Sequence, residues 1–405
     1  MKYCSVLYKY LCAFFMVLVV GCNTTEGYLS SQVAAYPTCE NEELIEQPVE
    51  QSCTGGFIVD NDPWAFDNFT NLRAPQPLFE DTPHGEIAVA HIEFMNDNLY
   101  SRLPFTYREK EAAVWIVEEL LAMGHSWEHI HVQEFYLHDP FIWDMMFIHP
   151  RDMFAYSWLA EDFHLRDFSQ NVVLTVPGRS ERTIVVGAHY DSLPFPGASD
   201  NASGTSLLLE SAQRIIEVDN YYTIIYVFFG AEEIGLIGAH VYYNELSQSE
   251  RDNIALMINA DVLFEGEHFV YGSGYATGME HPLVRPQSGP YQNDTTYRVS
   301  AVAQAARDNH GVQISTVPEI VFAPSDHLVF LYHGHPVVFF FGAHLASQQD
   351  QFWGLAPYGE DYALTFRVLH SDMDDFHYIN ENWPDKINNA MWTFSLVLDG
   401  LLAQE

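Results

Sequence analysis

Hydrophobic and polar positions along this chain follow two different periods, and from residue 130 onward the two alternate. Short apolar runs at IHVQEFYL (130–137), NVVLTVPG (171–178), TIVVGAH (183–189), TIIYVFFG (223–230), ALMINADV (255–262), EIVFA (319–323) and PVVFFFG (336–342) predict strands. The densest of these carry no polar face, as expected of strands covered on both sides. Helical spacing falls between them, at SGTSLLLESAQRII (203–216), IGAHVYYNELSQ (237–248), within DTTYRVSAVAQAARDNHG (294–311), from Asp326, and at NWPDKINNAMWTFSLVLDGLL (382–402). An earlier helix is predicted at TYREKEAAVWIVEELLAMGH (106–125). There Thr106 and Glu109 have the spacing of a capping box, Gly124 supplies a stop, and Ala112, Ala113, Ile116, Val117, Leu120 and Leu121 form one apolar stripe. Strands that alternate with helices predict an α/β fold of three α-β-α layers around a central, mostly parallel mixed sheet.

That pattern changes the meaning of several polar residues. His189 and Asp191 follow the TIVVGA run, Glu232 and Glu233 follow TIIYVFFGA, Asp261 follows ALMINA, Asp200 opens the next helix, and His370 lies in a loop after PVVFFFG. Sheets of this class bind ligands at the carboxyl ends of their strands. Taken singly, each residue has an ordinary alternative: a structural His-x-Asp, a solvated Glu pair, an aspartate capping a helix. Taken together, several carboxylates at one rim would repel one another unless a cation neutralised them. Two histidines and three carboxylates suit a pair of divalent ions, zinc above all.

Composition narrows the partners. Fifty-five acidic residues against 17 basic ones, with a formal charge of -38, exclude the clustered Lys and Arg that phosphate recognition needs, so nucleic acid is not expected. Such a surface suits a saline or cation-rich setting. With 405 residues and 48% apolar content, the chain can bury a sizeable core. No internal repeat appears.

The first 21 residues read as an export signal: Lys2 and Lys9, then LCAFFMVLVV, too short for a comfortable membrane span, then Gly21-Cys22. Val19-Val20-Gly21-Cys22 resembles a bacterial lipobox, which would make Cys22 the lipidated mature N-terminus; cleavage nearby to give a soluble secreted product is the alternative. Either way the protein is expected outside the cytoplasm, touching a membrane only through a lipid at Cys22. If Cys22 is lipidated, Cys39 and Cys53 are the pair left to form a disulfide. Residues 22–85 lack periodicity and are read as a tether or extension, and 86–405 as the main domain.

The series HYDS, GASDNASG, FFGAEEIGLIGA, NAD, PSDH with Phe330, and HSDMDD resembles the co-catalytic di-zinc exopeptidases, a family that includes secreted leucine-type aminopeptidases, aminopeptidase Y and the glutaminyl cyclases. The resemblance covers roughly residues 90–405 in the family's order, and implies its phosphorylase/hydrolase-like fold, two zinc ions and peptide substrates. Residue by residue, it implies that His189 and Asp261 bind one zinc, Glu233 and His370 the other, and that Asp200 bridges them. Glu232 matches the general base, and Asp191 a partner that orients the imidazole of His189; Asp374 is expected to do the same for His370. His327 stands where the resemblance implies a Tyr or His near the scissile carbonyl, and is expected to be a transition-state donor; the alternative is a bystander beside a helix-capping Ser325-Asp326. His333, His335, His344 and His377 are read as structural.

The resemblance implies an aminopeptidase. A glutaminyl-peptide cyclotransferase is the alternative, favoured by Met373-Asp374-Asp375 after the last histidine and opposed by Leu369, where cyclases tend to place a Trp. A silent binding domain is disfavoured because every ligand and Glu232 are retained. The family's usual Thr after the final histidine is replaced by Ser371-Asp372, which leaves that loop's shape open. Glu265–Thr295, with Phe352 and Trp353, is the expected wall of a substrate pocket favouring apolar N-terminal residues. The sequence gives no oligomeric state.

Overall fold

The computed structural model describes residues 82–146, 166–216, 218–266, 268–274, 294–317, 324–343 and 368–403. The leader, Cys22, the Cys39–Cys53 pair, most of the tether, the 319–323 run, His344, Phe352 and Trp353 lie outside them.

The described strands are β1 (Ile130–Tyr136), β2 (Phe168–Val176), β3 (Ser180–His189), β4 (Tyr222–Phe229), β5 (Ile254–Ala260), β6 (His268–Gly274), β7 (Ile314–Val317) and β8 (Val337–Ala343). They form one sheet in the order β1-β2-β4-β3-β5-β8-β6-β7. The central pairs β4–β3, β3–β5 and β5–β8 are parallel. Antiparallel pairs flank this centre at β1–β2, β2–β4 and β6–β8, while β7 runs parallel to β6 at the far edge. The expected mixed, centrally parallel α/β sheet is therefore present.

Helices cover both faces: α1 (Glu86–Asn98), α2 (Tyr107–Met123), α3 (Pro140–Met145), α4 (Ser203–Arg214), α5 (Ile237–Glu245), α6 (Gln248–Asn253), α7 (Asp294–His310), α8 (His327–Tyr332), α9 (Phe376–Asn382) and α10 (Lys386–Leu402). Alternate residues of the central strands serve the two layers. Ile184, Val186 and Ala188 of β3 and Ile224, Tyr226 and Phe228 of β4 join one continuous core with α1, α2, α4, α7 and α10. On the opposite face, Phe229 meets Tyr242 of α5, which in turn meets Phe330 of α8.

Local chemistry explains the boundaries. Thr106 accepts a bond from Glu109 N, and Gly124 ends α2 in the left-handed region at φ 108. Helix α1 has no side-chain cap of its own. The buried Glu210 of α4 substitutes, accepting from Gly85 N at 2.7 Å and Ala88 N at 2.8 Å, where a carboxylate also meets the positive end of the helix dipole. Gly204 is fixed by proximity: a Cβ there would lie 2.2 Å from the carbonyl oxygen of Ala260, so α4 can sit directly on the end of β5.

Two sequence expectations are corrected. The run 237–248 is broken at Leu246, because Ser247 caps a separate helix α6 through a full capping box with Glu250. Residues 268–274, expected in a pocket wall, form β6 inside the sheet, their Gly and Tyr content having masked the pairing with β7 and β8. A strand at 314–317 immediately precedes the expected 319–323 run.

Candidate metal centre

Three adjacent parallel strands bring the first group together. β3 ends at His189, β4 at Phe229 shortly before Glu232, and β5 at Ala260 immediately before Asp261. His189 pairs in register with Phe229. Side chains that follow these ends must therefore share one rim. His189, Glu232 and Asp261 each offer a ligand atom to a buried cluster whose atoms lie within 4.8 Å of one another, and Asp200, Glu233 and His370 form a second such cluster.

Asp200 connects the two clusters. Its Oδ1 lies 3.2 Å from His189 Nε2, and its Oδ2 lies 2.9 Å from His370 Nε2. His189 Nε2 is also 3.1 Å from Asp261 Oδ1, and His370 Nε2 is 3.7 Å from Glu233 Oε2. The five residues that the sequence singled out as ligands thus meet, although they come from five separate segments.

Buried groups hold those segments in place. Asp191 accepts from Glu232 N at 3.1 Å through Oδ1 and from Glu233 N at 3.2 Å through Oδ2. Its Oδ1 stands 3.5 Å from His189 Nδ1, and its carbonyl oxygen 3.2 Å. Oxygens on that side favour a proton on Nδ1 and leave Nε2 as the lone pair facing the cluster. Asp374 accepts from Ser199 N at 2.6 Å and Asp200 N at 3.0 Å, so it clamps the backbone of Asp200, whereas orientation of His370 was the sequence expectation. Asp200 and Asn201 are joined by a cis peptide bond. Arg102, fully buried, donates to the carbonyls of Tyr190, Leu99, Pro196 and Gly197, tying the His189 loop to the Asp200 loop.

Burial and mutual charge shift the ionisable groups. Burial, reinforced by the nearby Asp326, Asp261 and Glu233, pushes the Glu232 carboxyl well above its usual range against the pull of His189. Burial and Asp200 push Glu233 up to about 8. Asp200 goes the other way, because hydrogen bonds from His189 and His370 outweigh its burial. Burial disfavours charge on His370, yet Glu233 and Asp200 raise it to about 9. Burial pushes Asp374 up to about 7. Asp326 is also buried and raised, and neither of its carboxylate oxygens has a hydrogen-bond partner. Excess buried carboxylate around two imidazoles is the donor set that divalent cations neutralise, and its N/O composition fits zinc.

His327 belongs to neither cluster: it opens α8, is buried, and stacks on Phe339 with ring centroids 4.3 Å apart. His333 stacks on Tyr243, and His335 lies 2.9 Å from the Tyr243 hydroxyl, so both belong to packing between α5 and the β8 approach. His377 pairs with Asp97 at the surface. The groove beside Asp200, Glu233 and His370 is walled by Leu193, Phe195 and Gly197. Arg102, and Glu109 beyond its capping role, were missed by sequence reasoning. The buried charge of either could not be told from a surface residue without the fold.

A parallel-centred sheet, two clusters of metal-ligating residues and a carboxylate that faces both histidines define an α/β protein with a candidate metal centre at the carboxyl ends of its strands. The chain belongs to Peptidase family M28, whose profile matches residues 171–395. It is 44% identical over 81 residues to aminopeptidase YwaD of Bacillus subtilis, a stretch covering 20% of this chain and 18% of that protein. It is 34% identical over 106 residues to leucine aminopeptidase 1 of Coccidioides posadasii, covering 23% of this chain and 27% of that one. The chain thus spans under a third of the length of these curated relatives. Among solved structures, a zinc aminopeptidase from Bacillus subtilis superposes with a TM-score of 0.56 at 16% identity, over 81% of this chain and 97% of the other. A glutaminyl cyclase from Tannerella forsythia gives 0.53 at 19% identity, over 80% and 100%. These two likenesses establish the fold.

Proposed function

We propose that the protein is an exported, zinc-dependent aminopeptidase that hydrolyses the N-terminal peptide bond of peptides. The observation that carries this reading is the placing of Glu232 in the same buried cluster as His189 and Asp261, beside an Asp200 whose two oxygens face different histidines. His189 and Asp261 would hold one zinc, Glu233 and His370 the other, with Asp200 shared. Zinc in such a site supplies a water of lowered pKa and polarises a carbonyl. Glu232, desolvated and held by its main chain to Asp191, takes the proton of the attacking water and returns it to the leaving amine. Leu193 and Phe195 favour an apolar side chain on the residue being released. The leader segment supports export, and intact mass of the mature protein tests lipidation at Cys22.

The deciding experiment is mass spectrometry of peptides beginning with Leu and with Gln after exposure to the zinc-loaded protein and to Glu232→Gln. Loss of the first residue, reduced on the order of 100- to 10,000-fold by the substitution, supports the proposal. Loss of ammonia from the Gln peptide alone would instead assign cyclotransferase chemistry, the reading that Met373-Asp374-Asp375 favours.

A further inference from the structure

The sequence marks Glu109 as half of a capping box, but its carboxylate does something else. Thr106 does accept from Glu109 N, at 3.3 Å. The reciprocal bond is redirected: Glu109 Oε2 accepts from Phe105 N at 2.7 Å, one residue before the cap. Oε1 turns across the fold and accepts from Ser169 Oγ of β2 at 2.7 Å and from Ala231 N at 3.0 Å. Glu109 is completely buried.

Ala231 is the residue before Glu232. It lies in the left-handed region at φ 55, as does Phe105 at φ 58, and neither is a glycine. A backbone in that region persists only where surrounding structure fixes it. Asp191 holds the next two amides, Glu232 N and Glu233 N. Three consecutive N–H groups of the turn are thus gripped by two buried carboxylates, one from the loop that follows β3 and one from α2, which lies outside the segment matched by the family profile.

We infer that Glu109 is a positioning residue for the Glu232–Glu233 turn, setting where the proton-carrying carboxylate and the neighbouring ligand carboxylate stand relative to the cluster. Its assignment to catalysis rests on the aminopeptidase reading; its effect on the ligand does not. Release of Ala231 N lets the turn relax from its left-handed start. Displacement of a reacting group by about 1 Å costs on the order of 100-fold in rate.

The test compares Glu109→Gln with Glu210→Gln, a buried carboxylate of similar burial that caps α1 away from the centre. Kinetics on leucine p-nitroanilide, zinc affinity by competition with a chromogenic chelator, and metal-free melting temperature are measured for both. We expect E109Q to lower kcat on the order of 100-fold with KM within about threefold, and to weaken zinc roughly tenfold through Glu233. E210Q should melt lower while kcat and zinc affinity stay at the wild-type value. Equal behaviour of the two variants in kcat and zinc affinity would overturn the inference. If the wild type does not cleave the amide, the aminopeptidase reading fails, and zinc affinity alone decides on Glu109. If E109Q does not fold, Ser169→Ala takes its place: a weakening of the same sign supports the inference, and unchanged kcat and zinc affinity overturns it.

Discussion

Asp191→Asn isolates the group on which the first cluster turns. The wild-type carboxylate gives one oxygen to Glu232 N and the other to Glu233 N, and it is fully buried. Asparagine keeps one acceptor and turns an amide NH2 toward the other N–H. One charge-assisted bond is lost and one buried donor is left facing another donor, a cost of about 2–4 kcal/mol. At roughly 1.5 °C per kcal/mol for a domain of about 320 residues, the zinc-loaded protein should melt roughly 3–6 °C lower. The metal-free protein should lose less, because the weakened zinc affinity subtracts stability only from the loaded form. Weakened hold on the His189 imidazole should cost zinc about 10- to 100-fold in affinity, or about 1.4–2.7 kcal/mol. Differential scanning calorimetry with and without zinc, with chelator competition, measures all three quantities. A zinc-loaded melting temperature within 1 °C of wild type, or a larger drop in the metal-free form than in the loaded one, would refute this account of Asp191.

Other outcomes follow from the same structure. Gly204→Ala forces a Cβ to 2.2 Å from the Ala260 carbonyl and should cost about 1–3 kcal/mol or more by chemical denaturation; a neutral result would mean that α4 can lift from β5. In the metal-free protein, Glu233 at about 8 and His370 at about 9 both stand above their unfolded values, so the folded state holds extra protons. Stability should therefore fall as pH rises from about 5 to 9, Asp200 being shifted downward and acting only at lower pH, and melting curves that rise with pH would contradict this. On the proposed two-ion centre, His370→Ala should leave one zinc per chain where the wild type holds two, measured by atomic emission, and an unchanged zinc content would remove His370 from the proposed ligand set.

Much of the candidate centre was legible because most of its candidate ligands sit where the sequence pattern changes abruptly. An apolar run ends and a His, Asp or Glu follows, and parallel strands deliver their carboxyl ends to one rim, which made His189, Glu232, Glu233 and Asp261 readable. Asp200 was readable from its Gly- and Ser-rich loop. The supporting layer was not. Glu109 has ordinary helix-start chemistry, and only the crossing of α2 over β2 reveals that its second oxygen reaches Ala231. Arg102 sits among residues with no periodicity, and its four carbonyl partners lie up to 95 positions away in the chain. Asp374 was expected beside His370 from proximity in sequence, but the backbone of the Asp200 turn offers it two N–H donors. The β6 strand was hidden because its Gly and Tyr content imitates a loop.

The two clusters differ in what encloses them. His189 and Asp261 stand at the ends of adjoining strands, and the His189 side chain is 1% accessible. The second cluster draws on loops, and the His370 side chain is 27% accessible. With the proposed pair of ions, one held by His189 and Asp261 would sit among buried side chains, whereas one held by His370 could leave when that side chain swings aside. Metal would therefore exchange at two speeds, and scarcity of zinc would first yield a chain with one resident ion and one vacant post, a state set by local supply and not by the fold.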